Sequence, residues 1–166
     1  MQITILTTGG TIEKTYNEHD GLLRNYHTIL PRMLETLRLP NLEITYEQVV
    51  LKDSLEMTRD DRRYILEATH RAIPMSDAIV ILHGTDTMAD TGELLDRELA
   101  DLQIPVILTG AMRPYKFRNS DALQNVTESL LAARLVSPGV YVVMHNRVLR
   151  FPGVVKDREN LTFVKA

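Results

Sequence analysis

Five segments of the chain hold residue types that can do covalent chemistry. Thr7-Thr8-Gly9-Gly10-Thr11 places hydroxyls on both sides of a glycine pair. His83-Gly84-Thr85-Asp86-Thr87 places hydroxyls and a carboxylate behind a glycine. Asp53-Ser54, Gly110-Ala111-Met112-Arg113-Pro114 and the late Lys156 complete the set. A threonine hydroxyl is a weak nucleophile at neutral pH and needs an activating neighbour. A lysine serves as base only when burial or a nearby cation lowers its pKa. Backbone N–H groups at Gly84-Thr85, or a water held there, can stabilise an oxyanion, and such a donor typically contributes about 3 kcal/mol.

Each segment also has a plainer account. Gly9-Gly10 can be a strand-end turn, since glycine lets the backbone turn sharply. It is neither the GxGxxG dinucleotide pattern nor a phosphate loop ending in Gly-Lys-Ser/Thr. Thr85, Asp86 and Thr87 are what helix starts prefer, and Thr87 with Asp90 has the spacing of a capping box. His83 reads as a hydrogen-bonded buried histidine, because no second His or Cys stands at metal spacing. Arg113 reads as the structural partner of a carboxylate such as Asp121. Lys156 lies in a charged stretch with Asp157, Arg158 and Glu159, of the kind that forms a solvated face.

Composition narrows the function classes. The 166 residues suit one domain. Lys and Arg number 19 against 22 Asp and Glu, a net charge of −3 that argues against a nucleic-acid binder. Cysteine is absent, which excludes a disulfide framework, thiolate metal sites and a cysteine nucleophile. No apolar run approaches the ~20 residues of a membrane helix, and the first residues run straight into a strand pattern with no leader. The expectation is a soluble cytoplasmic protein.

The elements that must carry these segments follow from periodicity. Gln2–Thr7, Ala78–Leu82, Val106–Leu108 and Val140–Met144 are continuous β-branched runs, the signature of strands buried on both faces of a parallel sheet. Leu42–Leu51 is more mixed and belongs nearer an edge. Helical spacing appears over Thr28–Leu39, Thr58–Ile73, Thr87–Leu102 and Ser120–Leu135. Asp60 and Asp61 in the first turn of the second suit the positive pole of its dipole. The alternation predicts an α/β protein, a flavodoxin-like or Rossmann-like three-layer sandwich. Its sheet is mainly parallel, with about five strands, and a C-terminal hairpin lies around Phe151-Pro152-Gly153. In a 2-1-3-4-5 strand order the reversal falls between the first and third strands, where ligands bind. The two richest segments then face each other there. The polar stretch Ile12–Tyr26 reads as a mobile loop able to cover the crevice.

Thr8-Gly9-Gly10-Thr11-Ile12, His83-Gly84-Thr85-Asp86-Thr87-Met88 and Gly110-Ala111-Met112-Arg113-Pro114, with the late Val155-Lys156, resemble the bacterial-type L-asparaginase family over nearly the whole chain. That family hydrolyses L-asparagine to L-aspartate and ammonia. The resemblance implies that Thr11 is the primary nucleophile. Thr85, Asp86 and Lys156 form a second triad. Ser54 binds the substrate α-carboxylate, with Gly10 and Gly84 lining the site, and Asp86 meets the α-ammonium. A lid tyrosine supports the nucleophile, Tyr16 first and Tyr26 as the alternative. The course implied is acyl transfer, with attack by Thr11 or by water left open. No metal or organic cofactor is implied. Dimers or tetramers are usual in the family, so a homo-oligomer is expected.

Departures from the family pattern shape the expectations. Residues 1–166 correspond to the N-terminal, catalytic domain alone, without the family's C-terminal domain, so weak substrate binding and a high KM are expected. Leu55 stands where the family often has glutamine. The lid is short and charged, with Glu13, Lys14, Glu18, His19 and Asp20. Besides asparagine hydrolysis, two alternatives remain: an amidase acting on glutamine or another small amide, and a non-catalytic module that binds asparagine or aspartate. Retention of Thr11, Thr85, Asp86 and Lys156 together favours an enzyme.

Overall fold

Apolar runs without polar alternation have no face to offer water, and they take the middle of the sheet. The computed structural model describes all 166 residues. Its strands are β1 (Gln2–Gly9), β2 (Thr15–Asn17), β3 (Leu22–Arg24), β4 (Glu43–Lys52), β5 (Ala78–Leu82), β6 (Pro105–Thr109), β7 (Gly139–Met144), β8 (Arg147–Arg150), β9 (Val154–Asp157) and β10 (Thr162–Lys165). Its helices are α1 (Leu30–Glu35), α2 (Arg59–Ala72), α3 (Met88–Glu98) and α4 (Ala122–Ala132). Every residue of β5, β6 and β7 is buried. None of the helices is long and apolar enough to cross a membrane.

The main sheet has the order β4-β1-β5-β6-β7-β8. The first five strands are parallel, and β8 pairs antiparallel with β7. Counting only the parallel strands, the order is 2-1-3-4-5, as expected. Alternate residues of the buried strands serve two cores. Ile79 and Ile81 join Ile65, Leu95 and Phe163 on the α2–α3 face. Val80 and Leu82 join Leu30, Met33, Val126 and Leu130 on the α1–α4 face. The result is the expected three-layer sandwich, with β4 at one edge.

The expected C-terminal hairpin is present as β9–β10, but its place needs correcting. Phe151-Pro152-Gly153 is not a hairpin turn but the crossing from β8 to β9. The turns lie on either side of it. His145 and Asn146, with φ of 52° and 60°, close β7 onto β8, and residues 158–161 close β9 onto β10. β8 is thus a sixth strand of the main sheet. The helix expected over Thr28–Leu39 is only Leu30–Glu35. The stretch Ile12–Tyr26, read as an irregular loop, contains the β2–β3 hairpin. Asn25 Nδ2 donates to Gly10 O at 2.8 Å at its C-terminal end, and the Thr28 hydroxyl donates to Glu13 just beyond.

Candidate active site

The glycines bring the first and third loops into contact at the point where strand order reverses. Gly9 and Gly10 have φ of 89° and 76°, left-handed values that favour glycine. Gly10 N–H donates to Lys52 O at 2.8 Å. A Cβ on Gly10 would lie 2.4 Å from Gly84 Cα, and one on Gly84 would lie 2.5 Å from Ser54 Oγ. Gly10, Gly84 and Ser54 therefore stack without room for a further carbon. Thr11 and Thr85 each follow one glycine of this contact. The backbone N–H groups of Thr11, Gly84 and Thr85, and the Thr11 hydroxyl, bond to nothing within the chain.

Thr85, Asp86 and Lys156 form one hydrogen-bonded cluster. Lys156 Nζ donates to Thr85 Oγ1 at 2.8 Å and to Asp86 Oδ1 at 3.0 Å. The lysine reaches the third loop from β9, whose partner β10 closes the hairpin. Burial works to raise the Asp86 carboxyl pKa. The hydrogen bond and charge of Lys156, then those of Arg158, outweigh it and hold the pKa below the usual carboxylate range. The Thr85 hydroxyl turns towards Met112 Sδ at 3.6 Å. Asp86 and Lys156, separated by 70 positions in sequence, are thus joined by the fold.

The capping account of this loop fails at Thr87. Its side chain caps no N–H of α3. Its hydroxyl donates instead to Ser54 O at 2.9 Å, tying the third loop to the second. By contrast α2 has a full capping box between Thr58 and Asp61. Ser54 itself is buried and its hydroxyl has no partner. Asp53 accepts from Lys14 Nζ at 2.5 Å, which straps the root of the hairpin to this loop.

His83 is structural, as read. Its Nδ1 faces Gly84 O and its Nε2 faces the Thr91 hydroxyl, each at 2.8 Å. A carbonyl accepts only, so Nδ1 carries the proton. Burial pulls the pKa down to about 4, and the ring is neutral. The guanidinium of Arg113 does not pair with Asp121. The Asp121 carboxylate accepts from the backbone N–H groups of Met112 and Arg113, from Asn125 Nδ2, and from His145 Nε2 at 2.7 Å. These bonds fix the fourth loop beside Thr85.

Neither lid tyrosine hydrogen-bonds to Thr11. Tyr16 is 63% exposed, and the Tyr26 hydroxyl donates to Asp20 at 2.7 Å. A cleft of about 610 Å³ separates the β2–β3 hairpin from the second loop, lined by Lys14, Arg24, Asn25 and Asp53 among others. It does not include Thr11, Thr85, Asp86 or Lys156.

Residues 2–161 match the family model described as Asparaginase, N-terminal. The chain belongs to that family. This asparaginase N-terminal domain is 32% identical over 149 residues to an L-asparaginase of Thermococcus kodakarensis, covering 90% of this chain and 45% of that one. It is 34% identical over 154 residues to L-asparaginase 1 of Escherichia coli K12, covering 89% of this chain and 45% of that one. The solved thermostable L-asparaginase from T. kodakarensis superposes with a TM-score of 0.90 at 31% identity, over 99% of this chain and 51% of that chain. A probable cytoplasmic L-asparaginase from Campylobacter jejuni superposes with a TM-score of 0.83 at 26% identity, with the same coverage. The domain thus spans about half the length of these relatives.

Arg158 and Glu13 are the site-proximal groups that motif reasoning passed over. Arg158 Nη1 donates to Asp86 Oδ1 at 3.0 Å. It stands two residues after Lys156, in the turn that follows β9, within the charge run that reads as a solvated face. Glu13 has no motif signal. It is fully buried, accepts from Gly9 N–H at 3.0 Å and from the Thr28 hydroxyl, and burial raises its pKa to about 6 despite those bonds.

Proposed function

We propose that this domain hydrolyses the side-chain amide of L-asparagine to L-aspartate and ammonia, with Thr11 as nucleophile. The observation that carries this is the Lys156–Thr85–Asp86 cluster, set across the Gly10–Gly84 contact from Thr11. The names of the relatives support the choice of substrate.

Thr11 Oγ attacks the amide carbon, and its proton passes to the leaving nitrogen. The carbonyl oxygen becomes an oxyanion facing the free N–H groups of Gly84 and Thr85. The C–N bond then breaks, ammonia leaves, and water cleaves the resulting ester, giving its proton back to Thr11. The Thr85 hydroxyl and Lys156 Nζ, 2.8 Å apart, relay protons in these steps. The same array can activate a water for direct attack, and acid-quench trapping of an acyl-Thr11 ester separates the two routes. Ser54 and Asp86 hold the substrate's carboxylate and ammonium. Leu55, 70% exposed, offers no polar side chain there. Weak binding and a high KM follow. We place the reaction in the cytoplasm and in a homo-oligomer, a dimer or tetramer. Cell fractionation and sedimentation test those two statements.

Ammonia release from L-asparagine and L-glutamine over a wide concentration range tests the reading, with Thr11→Ala and Lys156→Met alongside. Saturable release from asparagine, lost by about a hundredfold or more in both variants, is expected. Faster release from glutamine would make the domain a broader amidase. A second reading, an asparagine-binding module without turnover, is favoured by the exposure of Tyr16, which makes no hydrogen bond to Thr11. It predicts a raised melting temperature with asparagine and no ammonia.

A further inference from the structure

Asp86 faces more positive charge than it can neutralise. Lys156 Nζ and Arg158 Nη1 both donate to its Oδ1, each at 3.0 Å, while Oδ2 accepts no hydrogen bond. The nearest carboxylates are otherwise engaged: Asp53 is paired with Lys14, and Asp157 accepts from Glu159 and Asn160 within its own turn. The cluster beside the Thr85 hydroxyl therefore carries one negative and two positive charges. The two cations are held differently. The Lys156 side chain is only 11% exposed and also bonds Thr85. Arg158 is 69% exposed and bonds nothing but Asp86. An exposed ion pair of this kind adds little to stability, so its effect falls on what approaches Asp86.

The geometry points to Arg158 as a specificity-determining residue. Its guanidinium competes with an incoming ammonium for the Asp86 carboxylate, and so weights the site toward ω-amides that carry a carboxylate but no α-ammonium, the monoamides of dicarboxylic acids. This rests on the amide hydrolysis proposed above, in which Asp86 receives the substrate's ammonium. That ammonium has two ways in. It can displace the guanidinium and forfeit the exposed ion pair, at a cost of up to about fivefold in affinity. Otherwise it binds Oδ2 beside the guanidinium. Like charges about 4 Å apart in water-like surroundings again cost about fivefold. A deaminated substrate meets neither obstacle, and its anionic carboxylate gains from the surplus positive charge.

L-Aspartate and succinate differ only by the α-ammonium, as do L-asparagine and succinamate. The intact chain, Arg158→Ala and Arg158→Gln are titrated calorimetrically with the first pair and assayed for ammonia release with the second. In both variants the ratio of affinities is expected to move about fivefold in favour of the ammonium-bearing ligand, and the matching change in hydrolysis to fall on KM rather than kcat. A ratio that moves by less than about twofold in both variants overturns the proposal, whether or not ammonia is released. So does a shift in Arg158→Ala alone, because glutamine keeps the side chain's length and removes only its charge. Shifted binding ratios without ammonia from the native chain uphold the role of Arg158 and remove the hydrolytic reading. No measurable heat from either ligand at roughly tens of millimolar overturns both.

Discussion

The Ser54 hydroxyl is packed against the backbone of Gly84 and hydrogen-bonds to nothing. A buried hydroxyl without a partner costs about 1–3 kcal/mol relative to one that is satisfied. No group of the chain offsets that cost, and the proposed binding of a substrate carboxylate uses the hydroxyl. Ser54→Ala removes the orphan oxygen and no hydrogen bond. The variant is expected to be as stable as the native chain, or more stable by up to about 1 kcal/mol in urea unfolding. Its KM for asparagine is expected to rise about tenfold or more. Lost stability with an unchanged KM would show that Ser54 is a packing residue.

Lys156 depends on a contact made far from the chemistry. The Phe151 ring lies over Gly92 of α3, where an added Cβ would be 2.0 Å from Phe151 Cζ. Gly153 N–H donates to Glu93 Oε1 at 2.6 Å, so the crossing that leads into β9 is moored twice on α3. Gly92→Ala must push the ring aside. Overpacking of this kind costs about 1–3 kcal/mol. A shift of about 1 Å at the lysine can cost about a hundredfold in rate. Gly92→Ala is therefore expected to lower both melting temperature and kcat. Adding Phe151→Leu should restore part of each, and a double-mutant cycle reads that coupling.

The fourth loop is held by one carboxylate. Asp121 is half-buried and accepts from two backbone N–H groups, one amide and one imidazole. Asp121→Ala strands those donors together, and a loss of about 3 kcal/mol is expected. Burial works to raise the pKa of this carboxyl. The Met112 N–H bond, then that of His145, keeps it low. Its stabilising contribution is therefore present above the ordinary carboxylate pKa and lost as pH falls through the lower folded value. Urea titrations from pH 6 down to about 2 should show the native chain converging on Asp121→Ala.

The layers, strand order and crevice were legible because they depend on patterns many residues share. The four continuous apolar runs specify a doubly covered parallel sheet whichever one is considered first. Thr11, Thr85 and Asp86 were legible as loops rich in glycine and hydroxyls. Single contacts between distant segments were not. Thr87 has the spacing of a cap but bonds Ser54 O, a choice set by tertiary placement rather than local sequence. His145-Asn146 turns a hairpin without glycine because both residues accept a left-handed conformation there. Lys156 stands in a charge run that reads as a solvated face until the β9–β10 hairpin aims it at Thr85.

Glu13 gives the chain a pH dependence of the opposite sign to that of its paired aspartates. Burial raises its pKa from 4.5 to about 6. Below about pH 4.5 both folded and unfolded chains hold the proton, and the group contributes nothing. Between about pH 4.5 and 6 the unfolded chain releases its proton first. The folded chain then binds more protons, and stability falls as pH rises. Above about pH 6 the full cost is in place, about 2 kcal/mol from the gap between the two values. Glu13→Gln removes the ionisation while keeping the contacts. Its carbonyl can accept from Gly9 N–H, and its NH2 can donate to the Thr28 hydroxyl oxygen, which now serves as acceptor. Relative to the native chain, the variant is expected to gain stability steadily from pH 4.5 to 6 and hold the gain to pH 7.5, as read by urea unfolding. A flat difference across that range would mean that Glu13 ionises as freely in the folded chain as in the unfolded one, and that the anchor under Gly9 is not a buried acid in solution.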